Sequence, residues 1–216
     1  MYDILLFDLD GTLTDPKIGI TKSVYHALQK FGIEVNDLDK LIPFIGPPLL
    51  DSFCDFYDMT PQQGQLAVEY YREYFSVTGL FENAVYPGIQ PLLSELTCHH
   101  KQLLVATSKP TNFAEQILEH FELAEYFERI IGSNLDGTRV KKAAVIEAAL
   151  AAVPASCRQR VVMIGDRLHD IVGAKACGID SIGVVYGYGG ATELSQAGAT
   201  HIVNSVSELH KFLLPK

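Results

Sequence analysis

Ile4-Leu5-Leu6-Phe7-Asp8-Leu9-Asp10-Gly11-Thr12-Leu13-Thr14-Asp15 sets the fold of this chain. Four large apolar residues in succession, Ile4 to Phe7, have the length and composition of a buried strand. Asp8 and Asp10 stand at its end, and Gly11 closes it into a turn. A carboxylate beside a core needs a cation or hydrogen bonds to offset its lost hydration. Three acids (Asp8, Asp10, Asp15) and two hydroxyls at the mouth of one strand therefore point to a bound divalent cation and phosphate chemistry. The plain alternative is an Asx-turn in a solvated loop. A calcium loop of EF-hand type does not fit. Counted from Asp8, its fifth position is Thr12 and its sixth Leu13, where an acid or amide and then a glycine are needed.

With 216 residues the chain can bury a full core, as one large domain or a domain plus an insert. A formal net charge of −9 argues against a nucleic-acid polymer or an anionic membrane as the main partner. It leaves room for a small anionic substrate if a metal and local cations neutralise it. No basic segment precedes the first apolar run, and no apolar run approaches the length of a membrane span, so neither a signal peptide nor a membrane segment is expected. Cys54, Cys98, Cys157 and Cys177 are scattered and form no C-x-x-C pair. They read as reduced thiols in a cytoplasmic protein rather than as a disulfide framework or zinc site.

Residues 17 to 31 have helical spacing (Ile20, Val24, Leu28, Phe31), with Gly32 as a stop. Pro43-Phe44-Ile45-Gly46-Pro47-Pro48 is a rigid turn, and helical spacing resumes through Leu49, Phe53 and Phe56 and from Pro61 to about Val77. No strand is predicted between Thr14 and Asn83. Beyond Val85 short apolar strands alternate with helices: Leu103–Thr107, Arg129–Gly132, Val161–Ile164, Ser181–Tyr186 and His201–Val203. That alternation specifies an α/β fold with a doubly wound, Rossmann-like parallel sheet covered on both faces. The helical block is most simply an insertion, giving a core of residues 1–15 and 84–216 and an α-helical second domain of residues 16–83.

Ligands of such sheets bind beyond the carboxyl ends of the strands. Delivered there are Asp8 and Asp10, then Thr107-Ser108-Lys109, Gly132-Ser133-Asn134, Gly165-Asp166-Arg167-Leu168-His169-Asp170, and Tyr186-Gly187-Tyr188-Gly189-Gly190. Asp8-Leu9-Asp10-Gly11-Thr12, Val105-Ala106-Thr107-Ser108-Lys109-Pro110, Lys142 within Lys141-Lys142-Ala143-Ala144-Val145-Ile146, and Gly165 to Asp170 match four motifs in order. Over essentially its whole length the chain resembles the haloacid dehalogenase-like (HAD) hydrolases, in particular phosphatases with a helical cap inserted after the first strand.

The resemblance implies a role for each matched residue. Asp8 would be the nucleophile that forms an aspartyl-phosphate, and a carboxylate needs in-line placement and a cation for that task. Mg²⁺ fits as the cofactor, held by Asp8, the main-chain carbonyl of Asp10 and Asp166. Asp170, one helical turn beyond Asp166, would share its face and join directly or through a neighbour, or else serve the helix dipole. Asp10 would be the general acid for the leaving alcohol and then the base for water. Thr107 and Ser108 would bind phosphoryl oxygens, or cap the next helix. Lys142 would neutralise the phosphoryl group, with Lys141 as the alternative. His169 is expected beside the metal ligands or at the surface, because Mg²⁺ prefers oxygen. Asp15 reads as the exit toward the cap.

The cap would close over the site and choose the substrate. Ile45 to Leu49 and the cations Lys17, Lys22 and Arg72 are candidates for contact, against the alternative of solvated faces. The expected partner is a small phosphorylated metabolite; the oligomeric state stays open. The chain looks most like the 5′-nucleotidase relatives, with phosphoglycolate phosphatases next. Competing readings are a sugar phosphomutase and a non-catalytic binding protein on the same fold.

Overall fold

A computed structural model describes residues 2–214. Its contacts divide the chain into two units, one built from the segment up to Asp15 and from Val85 onward, the other from Pro16–Ala84.

The first unit is a six-stranded parallel sheet flanked by helices. Its strands are β1 (Ile4–Phe7), β4 (Gln102–Pro110), β5 (Arg129–Ser133), β6 (Val161–Gly165), β7 (Asp180–Val184) and β8 (His201–Val203). Their spatial order is β5-β4-β1-β6-β7-β8, so β1 lies between β4 and β6. Central strands of a parallel sheet are covered on both faces, and Leu5, Leu6 and Phe7 of β1 are fully buried. One face packs on α6 (Lys142–Leu150) and α7 (Leu168–Ala176), joining Leu6, Leu104 and Met163 to Val145, Ile146, Ala149 and Ala174 in one core. The other α-helices described in this unit are α4 (Ile89–Cys98), α5 (Thr111–His120), α8 (Gly190–Ala197) and α9 (Val206–Leu213).

The second unit comprises α1 (Lys17–Lys30), a 3₁₀ segment Leu38–Phe44, α2 (Leu49–Tyr57) and α3 (Pro61–Tyr74), which runs into a π turn at Phe75–Gly79. Thr60 starts α3: its hydroxyl accepts from Gln63 N–H at 3.3 Å while the Gln63 amide oxygen accepts from Thr60 N–H at 3.0 Å. Leu28, Leu41, Phe44, Phe53, Tyr71 and Phe75 are buried in its core, whereas Phe56 is half exposed.

Three expectations change. A two-residue strand, β2 (Thr14–Asp15), occurs at the start of the stretch expected to hold none, with β3 (Ala84–Val85) just beyond its end; both are too short to leave a periodic signal. The strand expected over Ser181–Tyr186 ends at Val184, because Tyr186 turns away and its hydroxyl donates to the carbonyl of Thr12 at 3.0 Å. The helix expected from Lys141 begins at Lys142. All four cysteines are free thiols. Among the described residues, no helix is long and apolar enough to cross a membrane.

Candidate active site

β1, β4 and β6 are neighbours, so their carboxyl ends bring Asp8, Thr107 and Asp166 to one edge. Asp8 N–H donates to the carbonyl of Ile164 at 2.9 Å, which extends the β1–β6 ladder as far as the first acid. Gly11, at φ +81°, then turns the chain, and its N–H donates to the Thr14 carbonyl at 2.7 Å. Asp8, Asp166 and Asp170 are all buried, and each offers a carboxylate oxygen within 4.8 Å of the others.

Two lysines answer these acids. Lys142 Nζ lies 2.8 Å from Asp8 Oδ1, 2.7 Å from Asp170 Oδ1 and 3.0 Å from the carbonyl of Ala106, to which it donates. Lys109 Nζ lies 3.0 Å from Asp10 Oδ2. Both ammonium groups are buried, whereas Lys141 is exposed. Of the two adjacent lysines, it is therefore Lys142, at the first position of α6, that reaches the acids.

The protonation balance follows from this packing. Burial raises Asp10 above the ordinary carboxylate value, Lys109 beside it pulls it back, and Asp8 pushes it up again. Burial, followed by Asp170 and Asp8, holds Asp166 well above the usual range. Asp170 is pushed up to about 6, chiefly by burial and against the pull of Lys142. Burial would lower Lys142, but the Asp170 and Asp8 carboxylates more than offset it, so the lysine stays charged. Four carboxylates facing two ammonium groups leave a formal charge of −2 when ionised. A buried site with that residual charge and only carboxylate oxygens in its cluster suits a hard divalent cation.

The cradle around Asp166 is mostly backbone. Tyr188 N–H donates to Asp166 Oδ2 at 2.7 Å, Gly189 N–H to its carbonyl at 3.2 Å, and the Thr12 hydroxyl to Oδ1 at 3.4 Å. A Cβ on Gly11 would fall 2.2 Å from Asp166 Oδ2, and one on Gly187 would fall 2.3 Å from Asp166 Cβ. Only glycine lets these two loops close on the carboxylate. The Tyr188 hydroxyl in turn donates to Asp15.

Most residues singled out in the sequence meet here, by routes that differ in detail. Asp166 precedes α7 and Asp170 is in its first turn, so they do not share a helical face. Instead the turn folds back, with Asp170 Oδ2 accepting from Arg167 N–H at 3.1 Å. Thr107 does not cap α5: its hydroxyl accepts from Lys109 N–H at 3.2 Å. Ser108 is half-buried, and its carbonyl accepts from the Ser133 hydroxyl at 2.8 Å. His169 lies outside the carboxylate cluster, lowered by burial, and Arg167 is engaged by Glu193 at 2.9 Å. Lys109 stands in one of the four motifs, yet its contact with Asp10 is not foreshadowed by any spacing in the sequence.

A doubly wound parallel domain with a carboxylate cluster at the carboxyl edge of its first strand, interrupted after that strand by a helical segment, is the arrangement of a HAD-type hydrolase. A family profile described as haloacid dehalogenase-like hydrolase matches residues 5–184. The chain belongs to the haloacid dehalogenase-like hydrolases, and among them to the phosphatases. A protein of Pseudomonas aeruginosa named 5′-nucleotidase is 46% identical over 98% of this chain and 96% of its own length. A Mycobacterium tuberculosis protein named tyrosine-protein kinase PtkA is 37% identical over 97% of this chain and 72% of its own. A crystal structure described as a predicted phosphatase from Clostridium acetobutylicum superposes with a TM-score of 0.95 at 51% identity, covering 100% of both chains.

Proposed function

We propose that this phosphatase hydrolyses a small phosphomonoester by way of an aspartyl-phosphate on Asp8, with a 5′-nucleotide as first choice of substrate and phosphoglycolate as second. The observation that supports this most is Asp8 itself: a buried carboxylate at the end of the central strand, held 2.8 Å from Lys142 and within 4.8 Å of Asp166 and Asp170. Asp8 attacks phosphorus as the bond to the leaving oxygen breaks, while Asp10 gives that oxygen a proton. Asp10 then takes a proton from water as water attacks phosphorus and the bond to Asp8 breaks, releasing phosphate.

Lys142 keeps its charge in this setting and faces the phosphoryl group as it transfers. The Thr107 hydroxyl, oriented by accepting from Lys109 N–H, keeps its own proton for a phosphoryl oxygen, and Ser108 lies beside it. Asp8, Asp166 and Asp170 with the carbonyl of Asp10 would hold Mg²⁺, which when bound supplies positive charge against phosphate repulsion. The 5′-nucleotide preference rests on sequence resemblance and on the Pseudomonas relative.

The test is release of inorganic phosphate from a panel of 5′-nucleotides, phosphoglycolate and sugar phosphates. Release should require Mg²⁺, stop with EDTA, and fall by at least about 10³-fold in Asp8→Asn. An Asp8→Asn protein as active as wild type contradicts the mechanism. Isomerised sugar phosphate without phosphate release supports the mutase reading instead.

A further inference from the structure

We propose that Lys109 is a positioning residue that fixes the Asp10 carboxylate, holding Oδ2 and leaving Oδ1 as the oxygen that exchanges the proton. This rests on the phosphatase reading above and adds to it a residue for which the reaction gives no other use.

The main chain is built to place Lys109. Along β4 the pairing with β5 steps from Ala106 opposite Ile131 to Pro110 opposite Ser133, four residues against two. Two extra residues therefore bulge from β4 at Thr107-Ser108-Lys109, and a bulge re-aims the side chains it contains. The bulge is fastened from both sides. Lys109 N–H donates to the Thr107 hydroxyl at 3.2 Å, and the Ser133 hydroxyl donates to the Ser108 carbonyl at 2.8 Å. Gly132 lies against it so closely that a Cβ there would fall 2.3 Å from the Lys109 carbonyl oxygen.

The outcome is an ammonium 3.0 Å from Asp10 Oδ2, with side chains only 5% and 13% exposed. Fold stability does not account for such a pair, because desolvation usually consumes the gain of a buried ion pair and an immobilised lysine loses rotamer entropy. Asp10 Oδ1 is buried and has no hydrogen-bond partner among the described residues. An acceptor left this way is normally engaged by something outside the protein. On the mechanism above, that is the leaving oxygen, which takes the proton as its bond to phosphorus breaks, and then water, which gives one as its bond to phosphorus forms. Pinning Oδ2 stops the carboxylate rotating and keeps Oδ1 in line for both transfers.

A positioned acid matters only for leaving groups that need a proton. The experiment measures kcat/KM with saturating Mg²⁺ for aryl and alkyl phosphates of graded leaving-group pKa, in wild type, Lys109→Met and Lys109→Gln. Wild-type release of phosphate tests the phosphatase reading separately. If no ester is hydrolysed, that reading fails and this inference falls with it. Given an active wild type, both variants should stay within about 3-fold on p-nitrophenyl phosphate and fall by about 10²-fold on alkyl phosphates, which steepens the leaving-group dependence. Glutamine, which can still donate to Oδ2, should fall less than methionine. An equal loss across the series, no loss at all, or failure of both variants to fold would each overturn the inference.

Discussion

At the scale of single residues, the buried acids set a measurable pH dependence in the metal-free protein. A carboxyl with a higher pKa in the folded state binds its proton more tightly when folded. Stability therefore increases as pH falls through the folded value toward the unfolded one. For Asp170 this window runs from about 6 down to the ordinary 3.8. In EDTA, the melting temperature of wild type relative to Asp170→Asn should therefore rise between about pH 7 and about pH 5, as read by calorimetry. Parallel curves would contradict the placement of Asp170. Asp8, Asp10 and Asp166 were legible in the sequence because an acid at the end of a buried apolar strand must be answered by a cation or by hydrogen bonds. Between the two adjacent lysines, the Lys-x-x-Val-Ile spacing of the family resemblance favoured Lys142, and it is the Lys142 side chain that is buried while Lys141 is exposed. Lys109 was hidden by its backbone: regular alternation along β4 does not foresee the bulge that aims it.

Among the elements, the strands of the sheet could be read from their apolar runs, and the site edge from their order. The loops could not, because their geometry depends on contacts between distant segments. Tyr186-Gly187-Tyr188-Gly189 could equally have been a plain tight turn; in the structure it supplies the N–H groups that orient Asp166. Gly187 is the point where that loop is most constrained, since a Cβ would meet Asp166 Cβ at 2.3 Å and the Gly11 carbonyl oxygen at 2.4 Å. Both obstacles sit on fixed parts of the fold, so Gly187→Ala must displace the loop or the carboxylate. Disturbing the groups that orient a metal ligand typically costs 10–100-fold in affinity. Isothermal titration with Mg²⁺ should show a loss of about that size in Gly187→Ala, with the protein still folded. Unchanged Mg²⁺ affinity would contradict the role given to this loop. The turn joining Asp166 to Asp170 was equally hard to foresee, since a four-residue spacing suggested one helical face and the chain brings the two acids together by folding back.

For the whole molecule, composition and element order went far. The alternation after Val85 foretold the parallel sheet. Substrate choice was the least legible property, because recognition of a leaving group depends on side-chain arrangements that no motif encodes. The central claim is that Asp8 becomes phosphorylated during turnover. It is tested most directly by quenching the enzyme with borohydride during turnover of a 5′-nucleotide with Mg²⁺ and mapping the reduced site by peptide mass spectrometry. Borohydride reduces an aspartyl-phosphate to homoserine. Homoserine should appear at Asp8, only when substrate is present, and not in the Asp8→Asn protein. Phosphate release without homoserine at Asp8, or homoserine at another aspartate, would contradict the account.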